Sequence, residues 1–356
     1  MMPYFILLFT IAFASLFDGK KIDKIIFLIL SIWMIVFSAL RVGGTGTGDY
    51  DAYLQLYSVT DTIEKVINPE VHAEIGFRLL SLFGHFWGFG EQYIIIAMAI
   101  LAFIPVAYVI FKYSPYKLLS LFIWMPYFLA MNMQTSRTSV AAAFGLLFMI
   151  SIYHKKWIMA LLFFAIAVSF HSSSLILILV LLVGMSLKKL FYAIIIACTT
   201  LIFISPFDVL LRLLDVFGLG RLSDFLQIYL ASDEYGYPMA LYDPRIILSV
   251  GVIFLIFKCQ KHIPEYFNMY YCKLFIIGVL LMVVFSDVVI MAWRTSYLFL
   301  IIGVVTIPWL AKIYNDLIYN SIGMKRVMSC VFIFLYFLYS VFLIIKAEPY
   351  VFFGGI

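Results

Sequence analysis

The chain has 356 residues, of which 65% are hydrophobic and only 12% are charged. A soluble domain of this composition would expose large apolar patches, so the composition excludes an ordinary soluble protein. The formal net charge of +5 therefore does not indicate nucleic acid, and no nucleic-acid partner is expected. The sequence predicts an all-α polytopic membrane protein, with a single integral membrane domain over residues 1–356.

About twelve transmembrane helices are predicted from windows of about 19 apolar residues. In chain order they lie near 3–17, 25–40, 93–111, 117–131, 138–153, 157–170, 173–187, 189–206, 245–258, 273–291, 294–311 and 326–345. The stretch 157–187 is interpreted as two spans, because one long helix would move the later lysines to the opposite face. Two external segments remain, about 41–92 and 207–244, and they carry short amphipathic helices at 72–89 and around Gly218 and Gly220.

The two faces of the predicted bundle carry different cations. Lysines cluster on one face together with Arg326, and the positive-inside rule assigns this face to the cytoplasm. The other arginines fall on the external face: Arg41, Arg78, Arg137, Arg212, Arg221, Arg245 and Arg294. Because the guanidinium fork binds phosphate or carboxylate bidentately, external arginines indicate recessed anion sites. For the three that lie among external aspartates, ordinary salt bridges are the favoured explanation: Arg212, Arg221 and Arg245.

Ionisable residues at the external ends of spans are candidates for function, because they are costly there. Arg137 and Arg294 open predicted spans, Arg41 ends one, and Asp287 lies in the turn before Arg294. His171 follows span 157–170, which is roughly 21 Å long and therefore short of a full crossing. We expect this imidazole in a recess below the outer surface, as a general base or as a polar residue hydrogen-bonded to a neighbouring helix.

Residues 41–53 read RVGGTGTGDYDAY and combine glycines with an acidic pair. The glycine spacing does not match the dinucleotide fingerprint, and the segment follows a membrane helix on the external face, which excludes a nucleotide loop. The glycines favour a sharp turn and close approach of the backbone to a ligand. Asp49 and Asp51 have the spacing at which two carboxylates share a divalent cation, and this alternative stays open.

Five short motifs occur in order: Arg41 with GTGTGDYDAYLQLY, then EIGFRLL, NMQTSRTSVAAAF, SFHSSSLI and WRTSYLFL. Together they resemble the EpsG-like group of bacterial exopolysaccharide and O-antigen polymerases, often called Wzy polymerases. The chain departs from related sequences at Thr138, where glutamine is common. The resemblance implies an architecture similar to C-type (GT-C) multispanning glycosyltransferases.

The resemblance also implies an activity at the periplasmic face of the bacterial inner membrane. The enzyme would transfer a growing glycan from undecaprenyl diphosphate to the non-reducing end of a lipid-linked repeat unit, with inversion and without a metal or other cofactor. Its partners would be this lipid-linked oligosaccharide, the bilayer and a Wzz-type chain-length regulator. Arg137, Arg294 and Arg41 would bind the diphosphate. His171 would be the first choice of base, with Asp49 or Glu74 second, and the glycan would contact Arg78, Asp287, Tyr50 and Tyr297.

Two other functions are compatible with the sequence. One is a transferase that uses polyprenyl monophosphate sugars with a metal at Asp49 and Asp51. The other is a transporter of lipid-linked glycans. Transporters commonly carry charged residues near the bilayer midplane, whereas here the candidates cluster toward one face, which favours an enzyme.

Overall fold

The computed structural model describes residues 1–354 except 21, 46–48, 69–70, 72, 135, 202, 219–222, 224–226, 228–229, 232–235, 241, 264–268 and 323–325. In that part the chain is almost entirely helical. It divides into two compact units, one formed by Met1–Leu175 with Ile301–Ile356 and the other by Ile176–Leu300. A single integral domain over the whole chain stays a prediction.

The first unit begins with two apolar helices, continues with three short helices, and then returns to longer apolar helices. Its elements are α1 (Met2–Ser15), α2 (Asp23–Ala39), β1 (Arg41–Val42), α3 (Asp49–Val59), α4 (Ile63–Ile67), α5 (Ile75–Phe86), α6 (Gln92–Tyr113), α7 (Lys117–Tyr127), a π-helical turn (Phe128–Asn132), α8 (Ser136–Tyr153) and α9 (Trp157–Phe170). Helix α8 packs against α6 and α9. The buried alanines 141–143 of α8 let these backbones approach closely.

A 3₁₀ helix (Ser172–Gly184) leads into the second unit. The described elements there are α10 (Leu187–Thr200), α11 (Pro206–Val216), α12 (Pro244–Cys259), α13 (Met269–Val284) and α14 (Val289–Leu300). Asp243 caps α12, because its side chain accepts the Arg245 N–H at 2.9 Å. Helices α13 and α14 pack closely at Gly278, where a Cβ would lie 3.0 Å from Leu300.

The chain then returns to the first unit through α15 (Gly303–Ile322), α16 (Val327–Lys346) and β2 (Val351–Phe352). Strands β1 and β2 pair antiparallel, with Arg41 opposite Phe352 and Val42 opposite Val351. The all-α prediction missed this pair, since two-residue strands leave no period in the sequence. Tyr350 stacks on Phe37 of α2 with ring centroids 4.2 Å apart, which holds the C-terminal segment beside β1.

Among the described residues, three helices are long and apolar enough to cross a membrane: α6, α8 and α16. A fourth span results if α14 and Gly303–Ile318 count as one bent span. Shorter apolar helices accompany them: α1, α5, α9, the 3₁₀ helix and α13. Every predicted span overlaps a helix, and the predicted break within 157–187 falls at His171. The number of twelve crossings and the GT-C architecture stay predictions.

Several local predictions were wrong. The predicted α-helix 173–187 is a 3₁₀ helix, which follows the extended backbone at His171. Arg294 lies within α14 and does not open a span, because the polar residues after Val284 end α13 early. Arg41 lies in β1, since α2 already ends at Ala39. In the predicted helix pair of the second external segment, α11 is confirmed, whereas Gly220 and Arg221 lie outside the described residues.

Candidate functional site

Arg137 lies in the first turn of α8 and forms an ion pair with Glu74. The distance from Arg137 Nη1 to Glu74 Oε2 is 2.6 Å, and the side chains are 24% and 22% exposed. Glu74 immediately precedes α5. A short, partly shielded pair of this kind is stronger than a fully solvated one, and its remaining exposure leaves a ligand access to both groups.

The Arg137 guanidinium lies near two aromatic rings. Its Cζ is 5.6 Å from the centroid of Tyr53 and 5.9 Å from that of Phe77. Burial and then the negative charge of Asp49 raise the pKa of the Tyr53 phenol, so this ring stays neutral. Among the described groups, Arg137 Nε is buried and has no hydrogen-bond partner. This nitrogen is enclosed by the protein, so an anion would reach the guanidinium through its Nη groups.

Glu74 reaches Arg137 because α5 lies directly against α9. A Cβ on Gly76 would lie 2.6 Å from Ser169 Oγ and 2.7 Å from the Ser169 carbonyl oxygen. Only glycine fits a contact of this kind with backbone. The contact brings the start of α5 to the end of α9, so that Glu74 also accepts the Ser172 N–H at 3.3 Å.

His171 follows α9 in an extended conformation. Its Nδ1 accepts the Ser173 N–H at 3.2 Å and lies 2.8 Å from Ser173 Oγ. A backbone amide can only donate, so Nδ1 is an acceptor and the neutral imidazole carries its hydrogen on Nε2. The imidazole thus lies next to the backbone amide that binds Glu74, with an N–H donor at Nε2.

Arg41 differs from Arg137 in burial and in partners. It is 1% exposed, and Nη2 donates to Ser136 Oγ at 2.9 Å and to the Asn132 carbonyl at 3.4 Å. Nη1 donates to the carbonyl of Gly43, whose φ of +76° confirms the predicted sharp turn at the first glycines. Burial lowers the pKa of the Arg41 guanidinium. Since Ser136 precedes Arg137, the two arginines are linked through one residue.

Two residues that sequence reasoning missed hold this arrangement. Gln92 Nε2 donates to the Ala39 carbonyl at 2.9 Å and to the Arg41 carbonyl at 3.1 Å, and its Oε1 accepts the Tyr50 hydroxyl at 2.6 Å. Asn132 ends the π-helical turn and accepts the Ser139 hydroxyl on Oδ1 at 2.5 Å. A polar side chain at the head of the apolar helix α6 is the signal that could have identified Gln92.

Asp49 and Asp51 both lie in the first turn of α3. Residues two apart on a helix do not face each other, so this geometry does not favour a shared cation. The described part of the chain contains no group of three or more histidine, cysteine, aspartate or glutamate residues suited to a metal. The Asp49 carboxylate does interact electrostatically with both Arg41 and Arg137.

Five residues predicted from four separate motifs therefore form one cluster in the first unit: Arg41, Asp49, Glu74, Arg137 and His171. The model of the EpsG family matches residues 24–352, which include all of them. The chain belongs to the EpsG family. The resemblance indicated by the motifs is thereby confirmed, and membership with the apolar helices supports a membrane-bound polysaccharide polymerase. No curated protein and no solved structure matches the chain.

Of the other predicted site residues of this EpsG-family chain, Tyr50 and Arg78 lie in the first unit, and Asp287, Arg294 and Tyr297 lie in the second. Arg78 Nη1 donates to the Asn68 carbonyl at 2.7 Å. In the second unit, Asp287 accepts the Ser205 hydroxyl at 2.5 Å, Tyr297 is fully buried, and Arg294 is partly buried in α14. Their roles, like that of Tyr50, stay predictions.

One structural expectation in the second unit is met. Arg245 Nη2 lies 2.6 Å from Asp243 Oδ2, so the salt bridge expected among the external aspartates is confirmed for Arg245. The guanidinium also lies over the Trp293 ring, 4.9 Å from its centroid.

Proposed function

We propose that this EpsG-family chain polymerises a glycan carried on undecaprenyl diphosphate, at the external face of the bacterial inner membrane. The observation that carries the proposal is the partly exposed pair of Arg137 and Glu74, 2.6 Å apart. The reaction requires both kinds of group, a cation for the leaving diphosphate and a base for the attacking hydroxyl. No metal or other cofactor takes part.

Arg137 is the proposed diphosphate ligand. A diphosphate carries more charge than Glu74 and can compete with it for the guanidinium fork. Rings of Tyr53 and Phe77 restrict the side chain, so little reorganisation accompanies the growth of negative charge on the leaving oxygen. Arg41 adds a positive charge from a fully buried position behind Ser136. The role of Arg294 on the diphosphate stays a prediction from the sequence.

The displacement proceeds in one step. The acceptor hydroxyl gives its proton to a carboxylate, and its oxygen forms a bond to the anomeric carbon of the donor. The bond between that carbon and the diphosphate oxygen breaks, and the electron pair leaves with the lipid diphosphate. Attack opposite the leaving group inverts the anomeric configuration, and the carboxylic acid then returns its proton to water.

The hydrogen bonds of His171 support a carboxylate as the base. With Nδ1 accepting the Ser173 N–H, the hydrogen on Nε2 makes this imidazole a donor toward a substrate oxygen. Glu74, released from Arg137 by the diphosphate, is then the first candidate base, and Asp49 is the second. The sequence ranked His171 first, and the next experiment separates the two assignments.

His171→Gln keeps an N–H donor at nearly the position of Nε2 but cannot act as a base at neutral pH. If His171 donates a hydrogen bond from Nε2 to a substrate oxygen, His171→Gln retains much of the polymerisation rate and His171→Ala loses it. If His171 is the base, both variants lose the rate equally. Glu74→Gln gives the converse test, because it preserves size and removes basicity, and its rate should fall by about 10²–10⁴-fold.

Reconstitution with a purified lipid diphosphate-linked repeat unit tests the function itself. The wild-type chain should convert this single substrate into a ladder of longer lipid-linked glycans. Arg137→Ala should abolish the ladder, whereas Arg212→Ala, which removes an exposed arginine of α11, should leave it intact. A wild-type chain that binds the substrate but produces no ladder would disprove the proposed polymerase activity.

The same assay distinguishes the two alternatives. Loss of the ladder in chelator, with recovery on adding a divalent cation, would favour a metal-dependent transferase at Asp49 and Asp51. Movement of a labelled lipid-linked glycan across the vesicle membrane without elongation would favour a transporter. The affinity for the acceptor, measured in variants of the proposed glycan-contacting residues, tests the roles of Arg78, Asp287, Tyr50 and Tyr297. The distribution of ladder lengths with and without a Wzz-type regulator tests that partner.

A further inference from the structure

A cavity of about 500 Å³ lies between α6, α8 and α9, away from the Arg137 cluster and toward the other ends of these helices. Its walls are apolar and come from all three helices: Ile100, Leu101, Ile104, Phe144, Leu147, Met159 and Phe163. Pro105 also lines the cavity. Because proline cannot donate to the carbonyl one turn earlier, α6 lacks one backbone hydrogen bond at this wall. The volume falls within the range of about 300–1,000 Å³ typical of small-molecule sites.

Basic and aromatic side chains form one end of this cavity, here named the lysine mouth: Tyr108, Lys112, Tyr113, His154 and Lys156. Lys112 Nζ donates to the Tyr108 hydroxyl at 3.0 Å, and the Tyr113 hydroxyl lies 3.0 Å from His154 Nε2. Burial and then the charges of Lys112 and Lys156 lower the pKa of His154. The positive charges of both lysines are therefore felt at the His154 imidazole. The described lining residues include no aspartate or glutamate.

The apolar walls next to the lysine mouth are open. Ile104 is 54% exposed and Tyr108 is 50% exposed, although both lie on a helix long and apolar enough to cross a membrane. The positive-inside rule predicts that the lysine mouth lies at the cytoplasmic surface. The cavity would therefore open to one leaflet of the bilayer, with its cations at the depth of the lipid headgroups.

We propose that this cavity binds one anionic phospholipid of the leaflet at the lysine mouth, a function separate from glycan polymerisation. One acyl chain occupies the apolar cavity, and the phosphate is bound by Lys112 and Lys156. Charge complementarity selects this occupant. A zwitterionic lipid carries a cation beside its phosphate, which offsets the attraction of the two lysines, and a soluble anion would leave the apolar walls uncovered.

Lipid binding to the purified full-length chain tests the headgroup. Native mass spectrometry in detergent, titrated with phosphatidylglycerol or phosphatidylcholine, should show retention of one phosphatidylglycerol and little phosphatidylcholine. The double variant Lys112→Gln with Lys156→Gln should weaken phosphatidylglycerol binding by roughly 25-fold, or about five-fold for each lysine. The matched control, Lys188→Gln with Lys189→Gln, removes the same charge from exposed positions on α10 and should bind as the wild type does.

A second pair of variants tests the acyl chain. Ile104→Trp places a large ring in the open wall and should reduce retention of phosphatidylglycerol, whereas Ile158→Trp on the exposed, non-lining face of α9 should not. Equal retention of both lipids, or equal weakening by the two lysine pairs, would overturn the proposal. Binding of free glycerol phosphate with the same affinity as the lipid would overturn it as well, and so would a second copy of the chain occupying the cavity in place of lipid.

Discussion

Helices α6, α8 and α9 place charged residues near both of their ends, but the two ends are organised differently. At the Arg137 end, cations meet carboxylates, carbonyls and hydroxyls of the protein, and Arg41 is almost completely buried. At the lysine mouth, Lys112 and Lys156 are exposed, and the described residues that line the cavity beside them include no carboxylate. Arginine tolerates burial because its charge is spread over a planar fork, whereas the compact lysine ammonium is kept near water.

This difference separates two uses of positive charge. The arginines are fixed by several elements that are distant in sequence, which suits a site where charge develops during a reaction. In the described part of the chain, Lys112 and Lys156 are exposed and are not fixed in this way by distant elements. Such an arrangement suits orientation in the membrane and binding of a mobile headgroup. Changes at the first end should therefore affect stability or catalysis, and changes at the second should affect lipid binding or the response to pH.

The largest effect is expected from removing the buried cation of the arginine end. Arg41→Ala leaves a cavity and frees the hydroxyl of Ser136 and two carbonyls, so we expect a loss of about 2–5 kcal/mol in the free energy of unfolding. Arg137→Ala should cost no more than about 1 kcal/mol, because its ion pair is partly exposed, and yet abolish polymerisation. Thermal or denaturant unfolding in detergent measures the difference. Equal destabilisation by the two variants would contradict the distinction between Arg41 as a buried structural residue and Arg137 as a ligand of the diphosphate.

The next effect concerns Asp18, on the same side as the lysine mouth by the predicted topology. Its carboxylate is 2% exposed and accepts the N–H groups of Leu118 and Leu119 at 2.9 and 2.5 Å. Burial raises the pKa of the Asp18 carboxyl from 3.8 to about 6, although these two hydrogen bonds lower it. The folded chain therefore holds this proton more tightly than the unfolded chain.

The sign of the pH dependence follows from this shift. The contribution of Asp18 to the free energy of unfolding is fully present below about pH 4 and is lost as the pH rises through about 6. The loss amounts to about 3 kcal/mol. Asp18→Asn does not titrate, so the difference in stability between variant and wild type should change across this window. Unfolding curves of both proteins in the same detergent measure it. A constant difference between about pH 4 and pH 7 would show that the buried carboxyl does not titrate there.

A smaller change in stability, with a large change in activity, is expected at Gly76. Gly76→Ala brings a Cβ to 2.7 Å from the Ser169 carbonyl oxygen, so α5 must move away from α9. We expect a destabilisation of about 1–3 kcal/mol and loss of the ladder as Glu74 is displaced. Gly90→Ala is the matched control, because no atom lies within 4 Å of its added Cβ. Similar activity in the two variants would mean that the position of Glu74 is not critical.

Local sequence patterns were sufficient for most of the helices. Long apolar runs predicted α6, α8 and α16, and the short run before His171 predicted the break after α9. The prediction failed where the signal was not periodic. The pairing of β1 with β2 joins Arg41 to Phe352 across nearly the whole chain, and Asn132 at the end of the π-helical turn accepts a hydrogen bond from Ser139 of α8.

By itself, the sequence determined the composition of the membrane helices, the predicted segregation of lysine from arginine, and a list of candidate residues in the order of the EpsG motifs. The tertiary structure alone decided which candidates meet. Glu74 and Arg137 are 63 positions apart, and their contact depends on the close approach of α5 to α9 at Gly76. Burial and partners distinguish Arg41 from Arg137, because two identical side chains acquire different roles when one is enclosed by carbonyls and a hydroxyl and the other pairs with a carboxylate and remains open to a ligand.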